Sequence, residues 1–424
     1  MTIDKSAPAS GSIMVVGGGI SGLTTALEAA EVGYEVLLIE KEPSLGGRVS
    51  QLKHYFPKLC PPTCGLEINY KRIKDNPKIK VMTMAEVEKV EGTPGDYTVD
   101  VKISPRYVNE NCTVCGECAK VCESEISNEF NFGMNRRKAA YLPHNMAFPL
   151  RYVMAPSMSA DDRAKCKEAC KYDAIDFDMQ PKNIAFKVGA IVWATGWQPY
   201  DAAKIDNLGF GRYQNIVTNM MLERLASKNG PTEGKIVRPS DDKAPSTVAF
   251  VQCAGSRDEN HLPYCSYICC MASLKHATYI REQYPDAKIY IYYIDLRAPG
   301  RKYESFYSKL KQDPNVFFVK GKVAEVDEDS STGNIKLVAE DTISGEKVRQ
   351  TVDMLVLATG MQPTLASDKP NADLKFNPDG FVINDFKKGG MFAAGCANKP
   401  ADVVSSNQNA TGMALKAIQT LVRR

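Results

Sequence analysis

A glycine-rich turn near the start of the chain limits the folds that this sequence can adopt. The apolar run SIMVV (12–16) meets GGGISG, in which Gly17, Gly19 and Gly22 fall in G-x-G-x-x-G register ahead of an apolar helical face. A second buried strand, EVLLIE, ends in Glu40. Together these features predict a Rossmann-type unit in which a helix N-terminus binds the pyrophosphate of a dinucleotide and the acid accepts a ribose hydroxyl.

The bulk composition excludes several classes of function. The chain has 424 residues, enough for two or three domains, and its 53 basic and 50 acidic side chains give a net charge of +3. This balance argues against a nucleic-acid partner. The first residues lack the apolar core of a signal peptide, and no run approaches the ~18 apolar residues of a membrane span. We therefore expect a cytoplasmic protein that reaches a membrane only through partner subunits.

Further segments favour FAD over NAD as the dinucleotide. EKEPSLGGR (40–48) places a second glycine pair and a basic residue just after the ribose acid. IVWATGWQP (191–199) and LVLATGMQP (355–363) are strands that end in ATG turns, and GGMFAAGCANKPADVV (389–404) leads from a strand into the final helix. Together these segments resemble the two-dinucleotide flavoproteins that include thioredoxin reductase.

This resemblance implies an α/β fold with two Rossmann-like domains. The FAD domain is split over residues 11–105, 181–205 and 350–424, and the second Rossmann-like domain occupies 206–349. The residues implied to bind FAD are Gly17, Gly19, Gly22, Glu40, Lys41, Gly47, Arg48, Val87, Thr195, Gly196, Gly395 and Cys396. Cys396 stands where the family carries an Asp that contacts the flavin ribityl chain.

Thirteen cysteines against four histidines point to thiolate-bound iron. NCTVCGECAKVC (111–122) is C-x2-C-x2-C-x3-C, the spacing of half a bacterial ferredoxin. The second half, RAKCKEACKYDAIDF (163–177), keeps only Cys166 and Cys170. We therefore expect a ferredoxin-like α+β domain inserted at residues 106–180.

The insertion has enough thiols for one complete cluster. In two-cluster ferredoxins the fourth Cys of each half binds the other cluster. The spacing therefore predicts one [4Fe-4S] cluster, with the ligands Cys112, Cys115, Cys118 and Cys170. Four cysteines remain as candidate redox thiols: Cys60, Cys64, Cys122 and Cys166. As an alternative, Cys60 and Cys64 join Cys122 and Cys166 around a second cluster.

The second Rossmann-like unit carries thiols where a phosphate loop is expected. The strand TVAFVQ (247–252) is followed by CAGSRDENHLPYCSYICC (253–270), in which Gly255 is the only glycine. The spacing C-x11-C-x3-C-C is compatible with a cluster. It is also compatible with buried thiols that bind nothing, because free Cys is often buried.

The flanking residues give this segment a family resemblance. VQCAGSRD before it, YIDLR after it and the insertion at 128–153 resemble the HdrA flavoprotein of heterodisulfide reductases. In that family the cysteines that match Cys253, Cys265, Cys269 and Cys270 hold a [4Fe-4S] cluster beside FAD. The resemblance therefore implies two [4Fe-4S] clusters in all, no catalytic acid or base, and electron transfer as the activity.

Within that family, the segments 55–73 and 199–211 look closest to the QmoA-type flavoprotein of the quinone-interacting membrane-bound oxidoreductase. This implies an oxidoreductase component at the inner face of the cell membrane, in a homo- or hetero-oligomer. Its partners would be HdrA-like subunits, haem- or iron–sulfur-bearing membrane subunits and adenylylsulfate reductase of sulfur metabolism. One alternative is a component of a soluble heterodisulfide reductase-like complex, with or without electron bifurcation. Another is a free-standing NAD(P)H-dependent disulfide reductase.

Overall fold

A computed structural model describes residues 11–422. Its helices are α1 (Ile20–Glu31), α2 (Thr63–Asp75), α3 (Glu117–Val121), α4 (Ala160–Ala169), α5 (Asn219–Ala226), α6 (Cys269–Gln283), α7 (Arg301–Lys311) and α8 (Val403–Val422). None of these helices is both long and apolar enough to cross a membrane.

The strands occur singly or in runs between these helices. They are β1 (Ser12–Val16), β2 (Glu35–Glu40), β3 (Ile79–Thr83), β4 (Ala85–Thr93), β5 (Asp96–Ile103), β6 (Glu125–Ser127), β7 (Arg136–Lys138), β8 (Ala140–Tyr141), β9 (Val153–Met154), β10 (Lys182–Val188), β11 (Ala190–Trp193), β12 (Trp197–Pro199), β13 (Ile216–Thr218), β14 (Thr247–Ala254), β15 (Lys288–Tyr293), β16 (Val316–Lys320), β17 (Val323–Asp329), β18 (Asn334–Glu340), β19 (Lys347–Val352), β20 (Met354–Thr359), β21 (Met361–Pro363) and β22 (Met391–Ala393).

The front and back of the chain share one parallel sheet of order β22-β11-β1-β2-β3. The apolar run of β1 is buried because the strand is central and pairs with both β2 and β11. Helices α1 and α8 cover one face of this sheet with a common apolar core. The antiparallel arm β10-β5-β4 packs on the other face through Val99, Val101 and Trp193.

The insertion leaves this arm between β5 and β10. It contains α3, α4 and the short strands β6 to β9, and it has a small core of its own in which Cys118, Cys122 and Cys166 take part. Because β5 and β10 pair in register over their whole length, the chain leaves and re-enters the arm at one place.

A second parallel sheet has the order β13-β20-β14-β15-β16. It corrects the predicted boundary at residue 350, because β20 pairs with β13 and β14 rather than with the first sheet. Every residue of β20 is buried, so its sequence suits a central strand of either sheet and gives no sign of which one it joins. The strands that follow the two ATG turns, β12 and β21, pair antiparallel and link the two units.

One buried cation ties three parts of the chain together. Arg224, on α5, is fully buried and donates from Nε to Asn131 Oδ1 of the insertion at 2.8 Å. Its Nη1 donates to the carbonyl of Gln51 at 3.1 Å and its Nη2 to the carbonyl of Asn229 at 2.9 Å. The guanidinium also lies 4.6 Å from the ring centroid of Phe130. Arg224 therefore fixes the insertion and the first unit against the second.

Replacing Arg224 should loosen this junction. We expect Arg224→Met to lower the free energy of unfolding by about 3 kcal/mol, because its buried acceptors lose hydrogen bonds from a charged donor. The check is the urea midpoint of the holoprotein, with the exposed Arg301→Met as the control. Equal midpoints for the two variants would contradict this assignment.

Candidate dinucleotide and iron–sulfur sites

A cavity of about 1250 Å³ opens at the carboxyl ends of β1, β2 and β11. The first ATG turn, the start of α5, the loop before α6 and Met361, which follows the second ATG turn, also contribute to its wall. The insertion closes one side of the cavity with Phe130, Phe132 and Tyr141. Parallel sheets bind nucleotides at this edge, where the strand order reverses.

The glycines of the first turn have no side chain, so their backbone can lie close to a ligand. A Cβ on Gly17 would lie 2.4 Å from the carbonyl oxygen of Ala194, and one on Gly47 would lie 2.8 Å from the Cα of Gly19. The backbones of Gly19 and Gly47 therefore lie against each other in the cavity wall. Gly22 does not line the cavity; a Cβ there would lie 1.7 Å from the oxygen of Gly17, so it allows α1 to pack on the turn.

Glu40 lies at the end of β2 with its carboxylate fixed by backbone. One oxygen accepts from the N–H of Gly18 at 2.5 Å and the other from the N–H of Glu42 at 2.8 Å. Burial outweighs these bonds and raises the pKa of Glu40 to about 7. A ligand hydroxyl that donates a hydrogen bond to this carboxylate would therefore bind most strongly when the pH is above this pKa.

The two predicted cations of this segment differ in their surroundings. Arg48 lies half-buried in the cavity wall, and its Nε donates to the carbonyl of Trp197 at 3.2 Å. Burial lowers the pKa of Arg48 to about 10, so it stays charged at neutral pH. Lys41 lies at the exposed mouth, where its ammonium pairs with Glu86 at 2.8 Å and Asp368 at 2.9 Å. Arg48 is therefore the better placed charge for a pyrophosphate.

The residues present fit a flavin dinucleotide. Thr195 and Thr364 line the cavity with buried hydroxyls that have no hydrogen-bond partner among the described residues. Gly196 has a φ of +68°, and a Cβ there would meet nothing within 4 Å. Val87, on β4, also lines the cavity. Buried hydroxyls without a partner and accessible backbone are groups to which a polar ligand would hydrogen-bond.

The start of α8 lies at the far end of the cavity. Cys396 lines it, but its thiol donates to the carbonyl of Ala401 at 3.5 Å. Gly395 lies outside the cavity wall, against Ser21 of α1, where a Cβ would come within 2.2 Å of the hydroxyl. Asp402, which sequence reasoning missed, lines this end and accepts from Tyr303 Oη at 2.5 Å. The sequence pattern did not reveal Asp402, because the family places its acid next to the glycine, whereas Asp402 lies six residues after Cys396.

Sequence reasoning also missed a buried charged cluster in the cavity wall. Glu223 Oε1 lies 2.6 Å from Lys275 Nζ and 2.6 Å from His276 Nε2, and all three side chains are at most 5% exposed. Burial opposes its ionisation, but Lys275 and His276 outweigh burial and lower the pKa of Glu223 to about 2. Lys275 also donates to the carbonyl of His54 at 2.6 Å. An ammonium has three donors, so with these two acceptors among the described residues one N–H is left for a ligand.

The four predicted ligands of the insertion surround one small cavity. Burial, followed by the nearby thiols of Cys112, Cys115 and Cys170, raises the pKa of Cys118 to about 12. Within residues 11–422 no three Cys, His, Asp or Glu side chains lie close enough to hold a single metal ion. Thiols spaced around a cavity instead suit a cube, in which each thiolate binds a different iron.

Cys122 and Cys166 form a separate buried pair. Burial, followed by the thiols of Cys122 and Cys118, raises the pKa of Cys166 to about 12. Their sulfurs donate to backbone carbonyls, Cys166 to Cys118 at 3.3 Å and Cys122 to Ser124 at 3.6 Å. The carboxylate of Asp162 accepts from the backbone next to Cys122, which fixes this side of the insertion without iron.

The four thiols of the loop 253–270, the first of which lies near the end of β14, also lie together. Burial, followed by the thiols of Cys270 and Cys265, raises the pKa of Cys253 to about 11, although Arg257 opposes this. Burial also raises the pKa of Cys269 well above its usual range, with further contributions from the other three thiols. Metal binding would displace these protons, because the thiolate is the ligand. Cys269 and Cys270 are the first two residues of α6.

The loop that carries these thiols forms part of the cavity wall. Ile268 lines the cavity and packs with Trp197, Met361 and Cys396. The hydroxyl of Ser266 accepts from the N–H of Met361 at 2.9 Å. The two ATG turns therefore play different parts. Gly196 opens to the cavity, whereas the loop fills the space at Gly360, where a Cβ would lie 2.4 Å from Ser256 Oγ.

The comparisons with known sequences agree with this arrangement. Residues 15–80 match a family model described as an NAD(P)-binding Rossmann-like domain. Over 420 residues the chain is 41% identical to the second form of the iron–sulfur A subunit of the CoB–CoM heterodisulfide reductase of Methanopyrus kandleri, covering 96% of this chain and 64% of that protein. It is 39% identical over 421 residues to the iron–sulfur A subunit of the same reductase from Methanocaldococcus jannaschii. This match covers 95% of this chain and 63% of that protein. The chain thus spans less than two thirds of the length of these relatives.

Solved structures show the architecture. The thioredoxin reductase of T. acidophilum superposes with a TM-score of 0.52 at 12% identity and covers 97% of both chains. That of Lactococcus lactis superposes with a TM-score of 0.51 at 12% identity. The chain has the thioredoxin reductase fold. The predicted α/β class with two Rossmann-like units is confirmed, and at this identity the likeness concerns the fold alone.

The position of Glu40 predicts a pH dependence of dinucleotide binding. The affinity for FAD should fall as the pH drops through about 7, because protonation weakens the carboxyl as an acceptor of the ribose hydroxyl. Titration of the deflavinated protein with FAD between pH 6 and pH 8 measures this. Glu40→Gln should bind more weakly at pH 8 and show no such slope. A wild-type affinity that does not change over this range would count against the role of Glu40.

The two thiol sets of the insertion predict opposite effects on iron content. Cys170→Ala should lose about four irons per chain, because it removes a ligand of the predicted cube. Cys166→Ala should keep them and serves as the matched control from the same segment. Analysis of iron and acid-labile sulfide in anaerobically purified protein measures the cluster content of both variants. Loss of iron in Cys166→Ala would contradict the assignment.

Proposed function

We propose that the chain is an FAD- and iron–sulfur-containing electron-transfer subunit of a heterodisulfide reductase-type complex. The observation that carries the proposal is the loop 253–270, whose four neighbouring thiols lie directly behind the cavity wall at Ile268. The similarity to relatives named as A subunits of heterodisulfide reductase supports the same assignment. The soluble complex therefore replaces the quinone-linked complex as the leading assignment.

The chain contributes binding, position and exclusion of water. The backbone of Gly19 and Gly47 and the charge of Arg48 would hold the pyrophosphate, and Glu40 the ribose. Trp197 and Ile268, which both pack against Met361 and Cys396, would close the cavity toward the thiol loop. When bound, FAD supplies the conversion between two-electron and one-electron transfer. Cys115 is exposed, so the edge of the insertion around it would give a partner access to the second cluster.

A free-standing NAD(P)H-dependent disulfide reductase fits this geometry less well. Such an enzyme binds its nicotinamide nucleotide at a glycine-rich turn after the first strand of the second unit. Here that turn contains Cys253 and Gly255, and Tyr200 packs against Gly255 so closely that a Cβ would lie 2.6 Å from its ring. The space next to this turn is filled by the chain itself.

The quinone-linked complex is the second candidate. It rests on the segments 55–73 and 199–211, and it would bring adenylylsulfate reductase and haem- or iron–sulfur-bearing membrane subunits as partners. Purification of the complex from its native source separates the two candidates. A haem-bearing membrane subunit in the complex would favour the quinone-linked assignment, whereas a complex without one would favour the heterodisulfide reductase type.

The proposal predicts the choice of electron donor. NADH should leave the flavin absorbance of the purified protein unchanged over minutes, because the turn after β14 offers no nucleotide site. A reduced viologen should bleach it within seconds, since it delivers single electrons to clusters. Anaerobic stopped-flow absorbance measures both rates. Bleaching by NADH within seconds would overturn the proposal in favour of the disulfide reductase.

A further inference from the structure

Two thiols lie side by side where the loop after Tyr55 enters α2. Cys64 is exposed and is the second residue of this 13-residue helix, whereas Cys60 is half-buried just before it. The two side chains are in contact: burial, followed by a hydrogen bond with Cys64, raises the pKa of Cys60. Neither residue belongs to the cavity wall or to the three thiol sets described above.

The pair is joined to the cavity through Tyr55. The N–H of Tyr55 donates to the carbonyl of Cys60 at 3.0 Å, and its ring lines the cavity. The phenol of Tyr55 lies near both sulfurs. Burial, followed by the thiols of Cys64 and Cys60, raises the pKa of Tyr55. Gly65 makes room for this phenol; a Cβ there would lie 2.7 Å from the Tyr55 oxygen. The positions of the two thiols are therefore fixed relative to the cavity.

The surroundings of the pair disfavour a metal site. A structural zinc site takes four ligands, and in the described residues no third Cys, His, Asp or Glu side chain completes such a group here. The alternative in which the pair completes a cluster with Cys122 and Cys166 gains no support either, because the thiols of Cys122 and Cys166 donate to backbone carbonyls within the insertion. A pair of adjacent thiols with one exposed member is instead the arrangement of a dithiol that forms an internal disulfide.

We propose that Cys60 and Cys64 form a dithiol–disulfide couple that exchanges electrons with a disulfide substrate at the protein surface. Cys64 is the attacking thiol, because it is exposed, and Cys60 is the resolving thiol. The couple is a further redox site, separate from the cavity and from the two thiol sets assigned to clusters. It does not depend on which complex the chain joins.

The exchange balances as two thiol–disulfide steps. The Cys64 thiolate attacks one sulfur of the substrate, forms a mixed disulfide and releases the first substrate thiol. The Cys60 thiolate then attacks Cys64 Sγ, forms the Cys60–Cys64 disulfide and releases the second substrate thiol. Two electrons pass from the pair to the substrate, and the two protons lost by the cysteines end on the released thiols. The reverse sequence reduces the pair.

The test equilibrates the holoprotein with mixtures of reduced and oxidised glutathione. Free thiols are then alkylated under denaturing conditions and mapped by peptide mass spectrometry. Cys60 and Cys64 should become unreactive together, in one peptide that has lost two hydrogens. Cys60→Ser should instead trap glutathione on Cys64. Cys64→Ser should form the glutathione adduct on Cys60 roughly tenfold more slowly, because the Cys60 thiol is less exposed.

The controls separate this result from a loss of fold. The buried Cys396 should stay alkylatable throughout, and the FAD and iron contents of both variants should equal those of the wild type. The proposal is overturned if Cys60 and Cys64 are alkylated at every ratio of glutathione, or if each acquires its own glutathione in the wild type. Altered FAD or iron content in both variants would also overturn it, by placing the pair in the cofactor sites. Failure of this test leaves the electron-transfer proposal intact, because that rests on other thiols.

Discussion

The end of β14 imposes the constraint on which the rest of the site depends. The strand breaks register between Val251 and Ala254, and Cys253 takes a φ of +56°, a conformation that is costly for a residue with a side chain. Arg257 and Tyr267 share this backbone region. Such strain persists only where the surroundings impose it, here through the hydrogen bonds of the loop to Met361. The strained loop turns four thiols toward one another behind the cavity.

The insertion and the cavity are parts of one assembly. Phe130 lines the cavity and lies against Arg224, which in turn binds the backbone of the first unit. Binding of a dinucleotide in this cavity would therefore stabilise the same contacts that hold the insertion in place. This would explain physically how the insertion, as the proposed electron carrier, can lie in the arm of the first unit: its approach to the cavity is fixed by a buried cation rather than by a flexible linker.

The sequence was informative where chemistry depends on local spacing. The turn at Gly17, the acid at Glu40 and the thiol spacing from Cys112 to Cys118 are short-range patterns, and the structure brings the members of each close together. Features that depend on packing were not predictable. The place of β20 in the second sheet depends on its partner strands, and the cluster of Glu223 with Lys275 joins residues from two helices far apart in the chain. No spacing rule connects such residues.

The central claim is that thiolate-bound iron occupies the place next to the flavin cavity where a pyridine nucleotide would otherwise dock. The most direct measurement is an electron-density map of the protein, purified and crystallised without oxygen. The account predicts a four-iron cube bonded to the sulfurs of Cys253, Cys265, Cys269 and Cys270. Four bare sulfurs, or a nicotinamide dinucleotide bound against this loop, would contradict it.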